Sequence, residues 1–394
     1  MTTTLPGALP RAGQRRILAV LCATEITSWG VLYYAFVVLA PTITRTTGWS
    51  PGAVAAAFSA GQIAAALTGI AVGRVLDRRG PRIVMTLGSV LAVLSLLGIA
   101  QARTLTEFTA CWLAAGVAMS AVLYQPAFAA LTRWTGERRV SALTTLTLAG
   151  GLASTVFAPI TATLLTHLGW RDTYLALAAV LALTIPAHAL GLRGPWNPVA
   201  AAHPPGAAPA ARTRAFLLLA LAMSMSGFSA GAVIVGVVPL FTERGLPVQT
   251  AALALGLGGI GQVCARLVYP RLAATTSVTT RAALVLATAA VTIGLLAVLP
   301  GPATVLIGVT LILGGARGLT TLLNATAISD RWGTHEYARL SGLLTAPIAL
   351  TAAIAPWAET ALAQQLGGHS TAFLILAATT ASAALLVGKT RPTH

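Results

Sequence analysis

Gly73-Arg74-Val75-Leu76-Asp77-Arg78-Arg79-Gly80-Pro81-Arg82 carries five charges in ten positions, in a chain where only 9% of residues are charged. Apolar stretches flank it on both sides, at 52–73 and 83–101. Each is long enough to cross a hydrocarbon core of ~30 Å as a helix. A short charged segment between two such stretches reads as the loop that joins two membrane-crossing helices at one bilayer face. Gly73 and Gly80 suit a close approach and a turn.

The rest of the chain agrees. Its hydrophobic fraction is 56%, its mean hydropathy is +0.81, and it has only nine acidic residues. A soluble domain carries charge on roughly a quarter of its residues, and this chain has too little to cover a wet surface. Its apolar runs are continuous rather than alternating, which selects helices over a barrel. Twelve spans are expected: 16–40, 52–73, 83–101, 107–131, 141–165, 173–193, 215–241, 249–269, 281–299, 303–328, 341–363 and 371–388. The N-terminal segment lacks an apolar stretch ending in a small-residue cleavage site, so no cleaved signal peptide is expected.

A net charge of +16 invites a nucleic-acid reading, but the placement of the charges opposes it. With the N-terminus in the cytoplasm, nineteen of the twenty-five Lys and Arg residues fall on cytoplasmic ends and loops. Arg45, Arg103, Arg171 and Arg244 fall on the other side, and Arg266 and Arg317 fall within spans. This asymmetry is the positive-inside pattern. It predicts a multi-pass protein of the cell membrane with both termini cytoplasmic, touching anionic lipid through its basic ends. Cys22, Cys111 and Cys264 lie within spans and read as small packing residues. No metal-ligand spacing and no catalytic triad is visible, so neither an enzyme nor a cofactor is expected. The absence of a phosphate-binding glycine loop with its lysine argues against ATP-driven transport.

The longest polar interruption, 194–214, holds five prolines and reads as a cytoplasmic linker. It separates an N-terminal six-span half (1–193) from a C-terminal one (215–394). The halves resemble each other. Gly61-Gln62 matches Gly261-Gln262, Ala158-Pro159 matches Ala355-Pro356, and Leu168-Gly169 matches Leu366-Gly367, at offsets of 197 to 200 residues.

The pattern Gly73-x-x-x-Asp77-Arg78-x-Gly80-x-Arg82 resembles the loop between the second and third helices of major facilitator superfamily transporters. That resemblance implies an all-α membrane protein of twelve helices in two pseudo-symmetric halves, with substrate at mid-depth and transport by rocking. It also implies that Asp77 helps hold one access state at the inner end of another helix, with Arg78 and Arg82 as partners. In that family spans 1, 4, 7 and 10 line the cavity.

Charges within spans are expensive and mark function. Two stand deep. Glu25 lies about nine residues into span 1, ~14 Å at 1.5 Å per residue, and Arg317 about fourteen residues, or ~21 Å, into span 10. The functional reading is an anion held by Arg317 and a proton taken up by Glu25. The structural alternative is an ion pair between them. Arg266 in span 8 either snorkels to the interface or joins the anion site. Arg266-Leu267-Val268 after Gln262 resembles span 8 of monocarboxylate-transporter-like members, where an acidic residue precedes the arginine by four positions. Here Gln262 replaces the acid, which moves the proton role to Glu25. Trp49-Ser50 ahead of span 2, and Arg138-Arg139 before Ala142, resemble the monocarboxylate and oxalate porter branch. Tyr34, Gln125 and Asn324 are the best further substrate contacts.

The expectation is therefore a proton-coupled, monomeric secondary transporter for a small organic anion. The alternatives are a drug or metabolite efflux antiporter on the same fold, or a transport-dead sensor.

Overall fold

A computed structural model describes residues 9–196, 209–332 and 337–390, and the core of the proposed linker, 197–208, lies outside them. The chain forms two compact units, 1–201 and 202–394. Every regular element among the described residues is helical.

In the first unit, α1 (Arg11–Trp29) passes through one widened π turn, Gly30–Tyr34, into α2 (Ala35–Thr47). The following helices are α3 (Pro51–Arg79), α4 (Pro81–Gln101), α5 (Leu105–Val122), α6 (Tyr124–Thr135), α7 (Arg139–Gly151), α8 (Ala153–Ala182) and α9 (Thr184–Gly191). The second unit holds α10 (Arg214–Glu243), α11 (Val248–Thr275), α12 (Val278–Val298), α13 (Ala303–Thr326), the short α14 (Ser329–Trp332), α15 (Tyr337–Leu366) and α16 (His369–Gly388).

Eleven continuous helical stretches among the described residues are long and apolar enough to cross a membrane. One of them, Arg139–Gly191, runs 53 residues. That is ~80 Å of helix, far more than one crossing uses. Gly169 breaks it, with φ 74° and ψ 171°, and the two parts make twelve crossings in all. Shorter interruptions have local causes. Leu123 is extended between α5 and α6, three residues before Pro126, whose ring cannot follow a regular turn. Leu183 separates α8 from α9, three residues before Pro186.

Two sequence expectations change. The charged stretch 73–82 is not mostly loop: α3 continues through it to Arg79, and the turn is confined to Gly80, with φ 80°. Pro81 then opens α4, where its missing N–H is harmless. Likewise α11 runs past Pro270 to Thr275.

The internal repeat has a physical basis. In the first unit α3 packs on α5, α1 on α7, and α4 on α8 and α9. In the second, α11 packs on α13, α10 on α15, and α12 on α16. The Gly-Gln pairs lie at the first of these crossings. A Cβ on Gly61 would sit 2.6 Å from the Trp112 carbonyl, and one on Gly116 would collide with the Gly61 carbonyl. In the second unit, a Cβ on Gly261 would collide with the Leu311 carbonyl and one on Gly314 with that of Gly258. Without side chains at these positions the backbones touch, as small residues permit between membrane helices. The Leu-Gly matches are left-handed turns, with Gly367 at φ 83°. A further pair was not read from sequence: Gly48 and Gly245, each at φ 75°, both stop a helix in the left-handed conformation that glycine supplies.

Candidate functional site

Glu25 falls on the buried stripe of α1 formed by Ile17, Leu21, Thr24 and Ser28, spacings that share one helical face. It is 0% exposed. Among the described residues its carboxyl oxygens and Ser28 Oγ lie outside ordinary hydrogen-bond geometry, and Trp29, one turn on, turns its indole N–H toward the carboxyl. Buried polar groups are normally paired, so this geometry is unusual. The π turn begins at the next residue, and such turns recur at functional sites. Trp29 leans on Tyr33 (centroids 5.6 Å) and Tyr124 (5.3 Å), and Tyr33 contacts Tyr34 at 5.4 Å. Tyr34 is buried in this aromatic chain. Gln125, one residue after Tyr124, is exposed, and its Oε1 would lie 3.1 Å from a Cβ on Gly69 of α3.

In the second unit the α11–α13 crossing holds Arg266 against the backbone of α13, next in sequence to Arg317. Gly318 packs on Gln262, whose carbonyl would lie 2.5 Å from an added Cβ. One turn on, Arg266 is 6% exposed and its Nε–H donates to the Gly318 carbonyl at 3.4 Å. The snorkelling alternative for Arg266 is therefore replaced by a side chain turned onto α13. Arg317 is the residue before Gly318. It is half-buried, and its guanidinium forms no hydrogen bond or ion pair with a described residue. Asn324 lies two turns further along α13, with its Oδ1 buried and unpartnered. Arg317, Thr321 and Asn324 follow the i, i+4, i+7 spacing of one face. The arrangement offers positive charge and hydrogen-bonding capacity.

At the ends of the first unit near Gly80, Asp77 pairs with Arg133 at 3.2 Å. The Arg133 guanidinium stacks 3.9 Å over Trp196, whose indole N–H donates to the Asp77 carbonyl at 3.1 Å. Arg78 and Arg82 are not Asp77's partners here. Arg82 donates to the Ala189 carbonyl at 2.7 Å. Both are exposed. In the second unit α11 carries no aspartate at this point, and the ion pair is instead Arg281–Asp330, at 3.0 Å. Arg331 beside it is buried, and burial pushes its guanidinium down to about 10, against the pull of Asp330.

A family model, the Major Facilitator Superfamily, matches residues 21–346. The chain belongs to the major facilitator superfamily. Among curated relatives it is 33% identical to mouse monocarboxylate transporter 11 over 205 residues, 50% of this chain and 45% of that one. It is 33% identical to the human protein of the same name over 204 residues, 50% of this chain and 43% of that one. The matched region is thus about half the length of these relatives. Among solved structures it resembles the nucleoside transporter NupG in a point-mutant form, with a TM-score of 0.79 at 16% identity over 95% of this chain and 98% of that one. It also resembles a bacterial homologue of the human lysosomal transporter Spinster, with a TM-score of 0.70 at 13% identity over 96% and 95%. Identities this low speak for the fold alone.

This major facilitator chain holds one cluster that the reading of its sequence passed over. Glu359 on α15 is 0% exposed and lies 2.6 Å from His369 Nδ1. A signal was available. In the register set by Pro159 and Pro356, its counterpart is Ala162, so only one half has a charge there. By contrast, buried His188, 2.8 Å from Ser89 Oγ, joins α9 to α4 and has no charged partner among the described residues. No group of three metal-ligating side chains occurs among the described residues.

Proposed function

We propose that the chain is a secondary active transporter that moves a small organic anion, of the monocarboxylate class, coupled to protons through alternating access. The observation that carries this reading is half-buried Arg317 on α13, whose guanidinium forms no ion pair with a described residue, next in sequence to the Gly318 carbonyl that accepts the Arg266 hydrogen bond. A guanidinium presents a planar fork of donors that matches a carboxylate, and a charge at this depth marks a ligand or an ion path. Arg317 is assigned to the substrate carboxylate, with Arg266 holding the α11–α13 face and adding positive potential. Asn324 on the same helix supplies a further polar contact, and in the first unit Tyr34 and Gln125 are the candidate polar contacts. Glu25, fully buried on α1, is assigned the coupling proton. The names of the monocarboxylate relatives support the cargo class.

The same reading makes the segment Gly73–Arg82 a gating element through Asp77. It places 194–214 as a linker between halves 1–193 and 215–394, and the chain in the cell membrane as a monomer with both termini cytoplasmic. The test is uptake by proteoliposomes under an imposed pH gradient, across a panel of small carboxylates. Replacing Arg317 by Ala should cut uptake about 10- to 100-fold, the worth of a charged hydrogen bond of about 1.5–3 kcal/mol. Full transport of every anionic substrate by that variant overturns the assignment.

A further inference from the structure

The second unit carries a graded set of titratable groups where α10 ends and α16 begins. Glu359 on α15 is 0% exposed, the His369 side chain is 12% exposed, and that of Glu243 is 44% exposed. His369 Nδ1 lies 2.6 Å from Glu359 Oε1, and His369 Nε2 lies 3.9 Å from Glu243 Oε1. The His369 main-chain N–H donates to Glu243 Oε2 at 3.0 Å, which fixes the ring between the two carboxylates. Thr360 Oγ1 donates to the Pro356 carbonyl at 2.9 Å and lies 3.4 Å from the other Glu359 oxygen. The elements packed here are α10, α12, α15 and α16. The charged groups they present are Glu243, Arg244, Glu359 and His369. Arg244 is tied elsewhere, to the Ala297 carbonyl at 3.1 Å and Ser370 Oγ at 3.3 Å.

We propose that His369, held against buried Glu359 by its Nδ1–H and partly exposed beside Glu243, is a reversible proton-binding site of the second unit. An ionised carboxylate only accepts hydrogen bonds, so Nδ1 keeps its proton in both states. The exchangeable proton binds to Nε2 from water. With it, imidazolium and Glu359 carboxylate form a neutral buried pair. Without it, the imidazole is neutral and the pair carries one negative charge. Glu359 Oε1 also lies where a Cβ on Gly236 of α10 would be. Proton loss therefore leaves an uncompensated charge in the α10–α15 contact, which destabilises that contact and makes it sensitive to pH. The site is built in one unit only. The first unit has Ala162 and Arg171 at the corresponding positions, and Arg171 is engaged by the Ala102 carbonyl at 2.6 Å.

This site stands apart from Glu25, and its test needs no cargo. Nitrogen NMR of the full chain in detergent, with ring-labelled histidine, is recorded from pH 5 to 9 without substrate. One histidine signal, absent from His369→Gln, should keep its Nδ1 proton throughout and gain or lose a proton at Nε2 alone. A neutral form lacking the Nδ1 proton, or no change at either nitrogen, overturns the proposal. Glu359→Gln preserves an acceptor for Nδ1–H and so protects the fold. It should displace the His369 midpoint by about one pH unit or more, the usual effect of an adjacent charge, and an unmoved midpoint overturns the proposal. Glu25→Gln should leave the His369 titration unchanged, which separates this site from the coupling role given to Glu25.

Discussion

Arg266 on α11 and Gly318 on α13 are joined by a hydrogen bond from the arginine Nε–H to the glycine carbonyl, 3.4 Å long. The bond requires the two backbones to lie almost in contact, which the glycines at 258, 261, 314 and 318 allow. It places one buried guanidinium beside the residue that carries the next. A packing feature legible as a repeated Gly-Gln pair thereby sets the chemistry of α13.

The crossing itself is testable. Gly261→Ala puts a methyl group against the Leu311 carbonyl. Overpacking of this kind costs about 1–3 kcal/mol. The thermal transition of the purified protein should fall, whereas Gly308→Ala, with nothing within 4 Å, should leave it unchanged. Equal transitions for the two variants contradict the close-contact account.

Arg266 and Arg317 should separate stability from transport. Arg317 has no side-chain hydrogen bond or ion pair among the described residues, so Arg317→Ala should alter stability by no more than about 0.5 kcal/mol while transport falls. Arg266 is buried and bonded to α13. Arg266→Met should therefore lower both, with Arg266→Lys between it and the wild type. Thermal shift and uptake measured on the same preparations decide this, and a large stability loss in Arg317→Ala counts against it.

Glu25→Gln removes the ionisable carboxyl of a fully buried residue but keeps the side-chain shape. The variant should be at least as stable as the wild type, with the gain greatest at high pH, where the buried carboxyl of the wild type is driven to ionise. Its transport should lose its dependence on the pH gradient. An unchanged pH dependence in Glu25→Gln removes the coupling assignment.

At Gly80, the Asp77–Arg133 pair is partly exposed, with side-chain exposures of 58% and 27%. A double-mutant cycle between Asp77→Asn and Arg133→Met should yield a coupling of at most about 1 kcal/mol. Trp196→Ala should change transport more than it changes stability, because Trp196 touches Asp77, Arg133 and Gly80 together. Kinetics at matched protein levels test this, and a coupling of several kcal/mol argues instead for a structural anchor.

The sequence alone determined that this is a helical membrane protein with two related halves, and it identified the family. Those properties are local. Twenty apolar residues specify a crossing wherever they occur, and Gly73–Arg82 is read in one continuous stretch. The sequence also singled out Glu25, Arg266 and Arg317, because a charge inside an apolar run stands out by itself. Only the tertiary structure decided the partners. Asp77 meets Arg133, 56 residues away, rather than Arg82 five residues on. Arg266 turns onto α13 instead of snorkelling to the interface. Glu359, which the sequence did not single out, meets His369 across the turn at Gly367. Each pairing depends on which faces of two helices touch and at what depth. Hydropathy carries no record of that, whereas the glycines that allow the backbones to approach do carry it, once the helices they join are known.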